Sequence, residues 1–273
     1  MTLSWVDGQP AEGLSLYDRG LAYGDGLFET IKVIDGQPEL LDRHLRRLGL
    51  GCQRLAIPCN LDLIRGQLLA FSAELEEGIA KLIVSRGEGR RGYAPPDPCL
   101  PRILLTGSPL PGYPGAHAEQ GIRLYPCTTR LAEQPILAGI KHLNRLEQVL
   151  ARAEWQDPAF AEGLMRDTSG RVIEGVFSNL FIVESNKLMT PCLDRCGVAG
   201  VMREELLERA QQAGVSTHVG DISLDQLRGA DEVFVCNSIY GVWPVRQLES
   251  SVWPVGALTR KLQRLVADLS SNT

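Results

Sequence analysis

SPLPGYPG, residues 108–115, carries three prolines and two glycines. Proline fixes φ and offers no N–H to a helix or a ladder, so no regular element is expected to run through this stretch. It reads as the joint of a chain built in two parts: an N-terminal α+β domain over 1–111, a linker over 112–117 and a larger C-terminal domain over 118–273.

On the N-terminal side, LFETIKVI (27–34) reads as a strand, Asp35-Gly36 as a hairpin turn, and a short return strand is expected near Glu39-Leu40. Leu41, Leu45, Leu48, Cys52 and Leu55 then recur near helical spacing until Pro58, and a second helix is expected over 62–77, ended by Gly78. AKLIVSR (80–86) and RILLTG (102–107) read as strands. Beyond the linker, IRLYPC (122–127) is a strand candidate. A helix from about His142 to Trp155 is expected to bury Leu143, Leu146, Val149, Leu150 and Ala153. Strands turn at Ser169-Gly170 and Asn186-Lys187; a helix at about 202–213, the strand EVFVCNS (232–238) and a helix from about 257 follow.

The chain has 273 residues, of which 44% are hydrophobic and 22% charged, enough to bury a sizeable core. A net charge of -5 argues against nucleic-acid binding, which needs a basic face to neutralise phosphates. The arginines of 42–54 and 85–93 cluster locally, which suits a small anionic ligand better than a polymer. No apolar run is long enough to span a bilayer, and MTLSWVDGQP lacks the basic start and apolar stretch of a leader peptide, so the cytoplasm is the expected compartment. Seven cysteines form no C-x-x-C pair, and Cys192 and Cys196 have no nearby histidine, so reduced thiols and no metal site are expected.

Gly87, Gly89 and Gly92 match G-x-G-x-x-G, the pattern of a dinucleotide loop. That site needs a helix to open directly after the glycines, so that its first amides meet the pyrophosphate. YAPPDPCLP follows instead, and its prolines forbid a helix. Nucleotide binding is rejected here.

GIKHLNRLEQVL (139–150) is the segment with chemical promise. Lys141 is approached by a glycine and an isoleucine, with His142 and Arg145 nearby. A lysine that forms a covalent bond to a carbonyl group needs a depressed pKa, which burial and neighbouring cations supply. Taken alone, the segment reads as an ordinary solvated lysine.

The segment is one of an ordered series: LSLYDRGLAYGDGLFET (14–30), RHLRRL (43–48), SRGEGRRGY (85–93), GIKHLNRLEQ (139–148), IEGVFSNLF (173–181), GVMR (200–203) and EVFVCNS (232–238). Together these resemble the fold-type-IV pyridoxal-phosphate family, and within it the aminodeoxychorismate lyase branch, across essentially the whole chain. The resemblance implies a two-domain α+β fold with a smaller N-terminal domain and a barrel-like sheet in the larger one. It implies pyridoxal 5'-phosphate held covalently by Lys141, with Glu174 facing the pyridine nitrogen and Arg47 holding the phosphate. Val201 and Met202, at a helix start, and Asn237 and Ser238, at a strand end, match further phosphate donors. Ser178 and Asn179 are candidate supporting groups.

For the substrate, the likeness implies 4-amino-4-deoxychorismate, cleaved to 4-aminobenzoate and pyruvate, a step of folate synthesis. Arg86 and Arg91 are candidates for its carboxylates, and Tyr23, Phe28 and Tyr93 for the ring pocket. Branched-chain aminotransferases place a tyrosine five residues after the cofactor lysine, where this chain has Leu146, which favours the lyase branch. An aminotransferase for D-amino or branched-chain acids is the alternative within the family. Members resemble homodimers, and a homodimer is expected on that ground.

Overall fold

The computed structural model describes residues 3–267 and Leu269. Its contacts divide the chain into a unit that runs to Pro111 and also takes in Ile140–Asn144, and a unit of Gly112–Gly139 with the chain from Arg145 onward. Among the described residues no helix is long and apolar enough to cross a membrane, and all seven cysteines are unbridged.

The first unit contains β1 (Ser4–Val6), β2 (Gln9–Pro10), α1 (Arg19–Tyr23), β3 (Gly26–Ile34), β4 (Gln37–Pro38), α2 (Leu41–Arg54), α3 (Leu61–Leu75), β5 (Gly78–Ser85) and β6 (Arg102–Ser108). Its strands form one sheet in the order β2-β1-β6-β5-β3-β4. Leu27, Glu29, Ile31 and Val33 lie on the buried face of β3, because successive side chains of a strand point to opposite sides. The apolar stripe of α2, Leu45, Leu48 and Cys52, is buried, as are Ile64, Leu68 and Phe71 of α3.

β4 pairs with only the last residues of β3, Val33 and Ile34. Ile140–Asn144 occupies the rest of that edge: His142 bridges Leu27, Phe28 N–H donates to the Lys141 carbonyl at 2.9 Å, and Leu143 N–H donates to the Gly26 carbonyl at 3.0 Å. This corrects two expectations. Lys141, assigned from the sequence to the C-terminal domain, packs with the first unit. Residues 142–145 are not helical, because an open strand edge offers their backbone groups better partners than a helix start does.

The second unit contains α4 (Ala116–Gln120), β7 (Ile122–Leu131), α5 (Leu146–Ala153), β8 (Phe160–Asp167), β9 (Val172–Gly175), β10 (Asn179–Glu184), β11 (Lys187–Pro191) and α6 (Val201–Gln212). It continues with β12 (Thr217–Gly220), α7 (Leu224–Arg228), β13 (Glu232–Asn237), β14 (Gly241–Leu248), β15 (Ser251–Val252) and α8 (Ala257–Ala267). β10, β13, β14, β7, β8 and β9 follow one another, and β9 pairs back onto β10, so the sheet closes into a barrel. The closing seam is a single pair, Asn179 opposite Glu174. Leu124, Leu164, Leu180, Ile182, Val233, Val235, Trp243 and Val245 fill one core cluster. β14 has no counterpart in the sequence reading, since Pro244 interrupts its pattern, yet Pro244 sits within the ladder opposite Phe234.

α5 also departs from expectation. It buries Ala151, which packs with Trp155, Cys127, Met165 and Ile173, whereas Leu146, Val149 and Leu150 are 76%, 60% and 60% exposed. Leu143 is half-buried and Ala153 exposed. The helix thus turns its larger apolar residues outward in the single chain.

Candidate active site

In the first unit a buried polar group lies beneath α2. Glu29 points inward from β3 and meets His44 Nδ1 at 2.6 Å. Arg47 closes a fork on it, with Nε 2.8 Å from Oε1 and a second ion pair through its terminal nitrogen. Burial raises the Glu29 pKa, but the Arg47 and His44 contacts overcome this and hold it at about 2. His44 is driven toward its neutral form by burial; Glu29 opposes this, while the Arg47 and Lys141 cations add to it. His44 Nε2 is buried and has no hydrogen-bond partner among the described residues. Lys141 Nζ stands 4.4 Å from the centre of the Phe28 ring, on the neighbouring residue of the strand that carries Glu29. Lys141, Phe28 and Arg47 therefore gather around β3 and α2.

In the second unit Glu174 and Asn179 hold the backbone of one residue, Val198, on its N–H and its carbonyl. Glu174 Oε2 accepts the Val198 N–H at 2.9 Å, and Asn179 Nδ2 donates to the Val198 carbonyl at 2.8 Å. That residue leads into α6, whose N-cap is Gly200 with no side-chain cap bond. A Cβ on Gly200 would lie 1.9 Å from Asn179 Oδ1, so a larger residue there would displace the Asn179 side chain. Val201 and Met202 open the helix and are buried. An uncapped helix start presents N–H groups and the positive end of the helix dipole, a setting suited to phosphate.

Three expected cofactor contacts have other work. The Ser178 hydroxyl donates to Glu162 at 2.7 Å. Asn179 is committed to Val198. Asn237 Nδ2 donates to the Phe177 carbonyl at 3.3 Å, and its Oδ1 accepts the amides of Ile239 and Tyr240 at 2.9 and 3.0 Å. These side chains frame the loops; Ser238, half-buried, follows at the end of β13.

The arginine-rich loop separates its two arginines. Arg86 is buried, donating from Nε to Asp25 at 2.8 Å and to the carbonyls of Ala56 and Leu55 at 2.9 and 2.7 Å. It is a strut rather than a substrate contact, which corrects the expectation for it. Arg91 is exposed, and Tyr93 is 84% exposed. Their loop is tied down by Arg19, which shares Asp25 with Arg86 and donates to the carbonyls of Gly92, Tyr93 and Ala94. The Tyr23 hydroxyl accepts the Gly92 N–H at 3.2 Å, and the Tyr23 and Tyr93 rings meet edge-on at 5.4 Å. Gly87 has φ 84°, and a Cβ there would lie 1.9 Å from the Leu100 carbonyl oxygen. It serves the packing of this loop.

The first unit thus gathers a lysine over an aromatic ring and an arginine forked on a buried carboxylate, and the second carries a helix start with no side-chain cap, led into by a residue that Glu174 and Asn179 hold. The sequence pattern of class IV amino-transferases matches residues 26–248. The chain belongs to this family. Among class IV relatives, an aminodeoxychorismate lyase of Vibrio harveyi is 42% identical over 265 residues, covering 95% of this chain and 97% of that one. A putative branched-chain-amino-acid aminotransferase of Methanocaldococcus jannaschii is 30% identical, covering 97% and 93%. The crystal structure of 4-amino-4-deoxychorismate lyase from Pseudomonas aeruginosa superimposes with a TM-score of 0.96 at 63% identity, covering 97% of this chain and 98% of that one.

Within this class IV chain, sequence reasoning missed Glu29, His44, Glu162, Arg19 and Asp25. Glu29 left a signal: it falls in phase with Leu27, Ile31 and Val33, so an alternating strand places its carboxylate inward. Glu162 left none, because Glu162 through Met165 are all buried and the alternation is lost.

Proposed function

We propose that this chain is a pyridoxal-phosphate-dependent aminodeoxychorismate lyase, which converts 4-amino-4-deoxychorismate to 4-aminobenzoate and pyruvate. The observation that carries the reading is the end-to-end likeness to the two lyases, at 42% and 63% identity.

The residues fit the cofactor. Arg47, oriented by its fork on Glu29, would bring a fixed positive charge to the phosphate, and the amides of Val201 and Met202 at the start of α6 would supply further donors. The carboxylate of Glu174 is 4% exposed and so retains its charge effect at short range. Pyridoxal phosphate, when bound, supplies an aldehyde that takes up the substrate amine and a pyridinium ring that accepts electrons. With the cofactor bound, the Glu174 carboxylate would keep a proton on its ring nitrogen. Lys141 is the residue that would hold the cofactor covalently, and its Nζ would serve as the base for the proton on the amine-bearing ring carbon of the substrate. With that proton, Lys141 Nζ serves as the acid for the departing enolpyruvyl group as the substrate ring becomes aromatic. Arg91 and Tyr93, on the loop tied down by Arg19, meet the substrate's carboxylates and ring.

The deciding experiment incubates cofactor-loaded protein with 4-amino-4-deoxychorismate alone and quantifies both products. Equal amounts of 4-aminobenzoate and pyruvate, abolished in Lys141→Ala, are expected. No product from protein that still holds the cofactor would overturn the lyase reading. Conversion of the cofactor to its amine form by D-alanine or a branched-chain amino acid would favour an aminotransferase instead. We place the enzyme in the cytoplasm, in folate synthesis, as a homodimer; the outward apolar face of α5 suits a covered surface.

A further inference from the structure

We propose that Glu162 is a positioning residue for the cofactor site, acting through the turn that joins Glu174 to Asn179.

Glu162 lies on β8 with no solvent exposure. Its carboxylate accepts the N–H groups of Gly163 at 2.8 Å, Val176 at 3.0 Å and Phe177 at 3.4 Å, and the Ser178 hydroxyl at 2.7 Å. Three of these four donors belong to the turn 175–178, the corner between β9 and β10. That corner closes the barrel, and only one residue pair, Asn179 opposite Glu174, holds its seam. Gly175 N–H donating to the Ser178 carbonyl at 2.7 Å is the turn's own bond. Glu162 adds a foundation from a third strand.

The turn reaches three parts of the site. Glu174 enters it and Asn179 leaves it, and together they clamp Val198 ahead of α6. Its Phe177 carbonyl accepts from Asn237, which orders the turn after β13. The fit is close: a Cβ on Gly175 would lie 2.2 Å from the Ser178 oxygen and 2.8 Å from the Glu162 carboxylate. Glu162 bonds to Gly163 and to the turn, so its influence on Glu174 and α6 runs through the turn. Loss of the carboxylate leaves buried amides unsatisfied, and the corner must shift to find partners. Groups that orient a ligand's immediate contacts commonly change affinity or rate by 10- to 100-fold when removed, as metal sites illustrate.

This inference rests on the cofactor reading above, and the test separates the two. Pyridoxal phosphate is titrated into apoprotein of the unaltered chain, of Glu162→Gln and of Val233→Ala. The last loosens the same barrel on β13, away from the turn. For Glu162→Gln we expect a cofactor Kd raised about tenfold, a weakened visible circular-dichroism band of the bound cofactor, and a fall in kcat with KM nearly unchanged. Val233→Ala should lower Tm without moving the Kd or the band. Failure of the unaltered chain to bind the cofactor would sink the parent reading. A folded Glu162→Gln with the Kd and band of the unaltered chain would overturn the role of Glu162, as would equal shifts in Val233→Ala. Should Glu162→Gln not fold, Glu162→Asp, which withdraws the carboxylate by one methylene, is read by the same criteria.

Discussion

Glu174 and Asn179 face each other across the barrel seam and hold the Val198 backbone by its N–H and its carbonyl, at 2.9 and 2.8 Å. Asn179→Ala removes the grip on the carbonyl while Glu174 keeps the N–H. A destabilisation of about 1–2 kcal/mol is expected from the lost buried bond. Because Val198 leads into α6, weaker cofactor binding should accompany it. Urea unfolding and cofactor titration measure the two effects; a change in stability with no change in affinity would separate the Val198 clamp from the phosphate site.

Arg47 is paired with a carboxylate that is 1% exposed. Arg47→Ala strands that charge, and breaking a buried pair costs about 3–5 kcal/mol. Adding Glu29→Gln should restore much of the stability by removing the stranded charge. If Arg47 also holds the cofactor phosphate, affinity should stay low in the double variant, because its positive charge is still missing. Recovery of affinity along with stability would show that Arg47 has no direct part in binding.

The same pair sets an acid limit. Glu29 is held at about 2 against an ordinary 4.5. A depressed pKa in the folded state stabilises above the unfolded value and is lost as pH falls from about 4.5 through 2. The difference corresponds to roughly 3 kcal/mol. Glu29→Gln should flatten that part of the stability curve, measured by urea unfolding at several pH values; an unchanged acid slope would assign the loss to other carboxylates.

Arg86 and Arg91 should behave in opposite ways. Arg86→Ala removes donors to Asp25 and to two backbone carbonyls, and a stability loss of about 2–3 kcal/mol is expected. Arg91→Ala, at an exposed site, should leave Tm within a degree or two. If Arg91 meets a substrate carboxylate, KM should rise about tenfold or more. Steady-state kinetics beside thermal melts make the comparison.

Leu146, Val149 and Leu150 project from α5 at 60% exposure or more. If they lie in the proposed dimer, Val149→Lys should weaken association, and sedimentation should show a lighter species at micromolar concentration. A partner-free face would instead make the lysine neutral or mildly favourable for solubility.

Local chemistry alone settled much of this protein. The proline-rich stretch at 108–115 leads to the boundary between the units, the in-phase apolar residues of 41–52 describe α2, and the ordered motifs led to the family. Those signals are local: each needs only a few neighbouring residues, or a spacing read along the chain. What decided the rest was contact between distant segments. The residues after Lys141 read as a helix but are not helical, because the edge of β3 was open to them. Leu146, Val149 and Leu150 have helical spacing, yet periodicity cannot tell a face buried by the chain's own core from one left outside it. Arg86 and Arg91 share a motif and a charge, and only the position of Asp25 and two carbonyls turns the first into a strut. Glu162 carries no pattern at all; its role exists because barrel closure brings β8 beneath a turn thirteen residues further on.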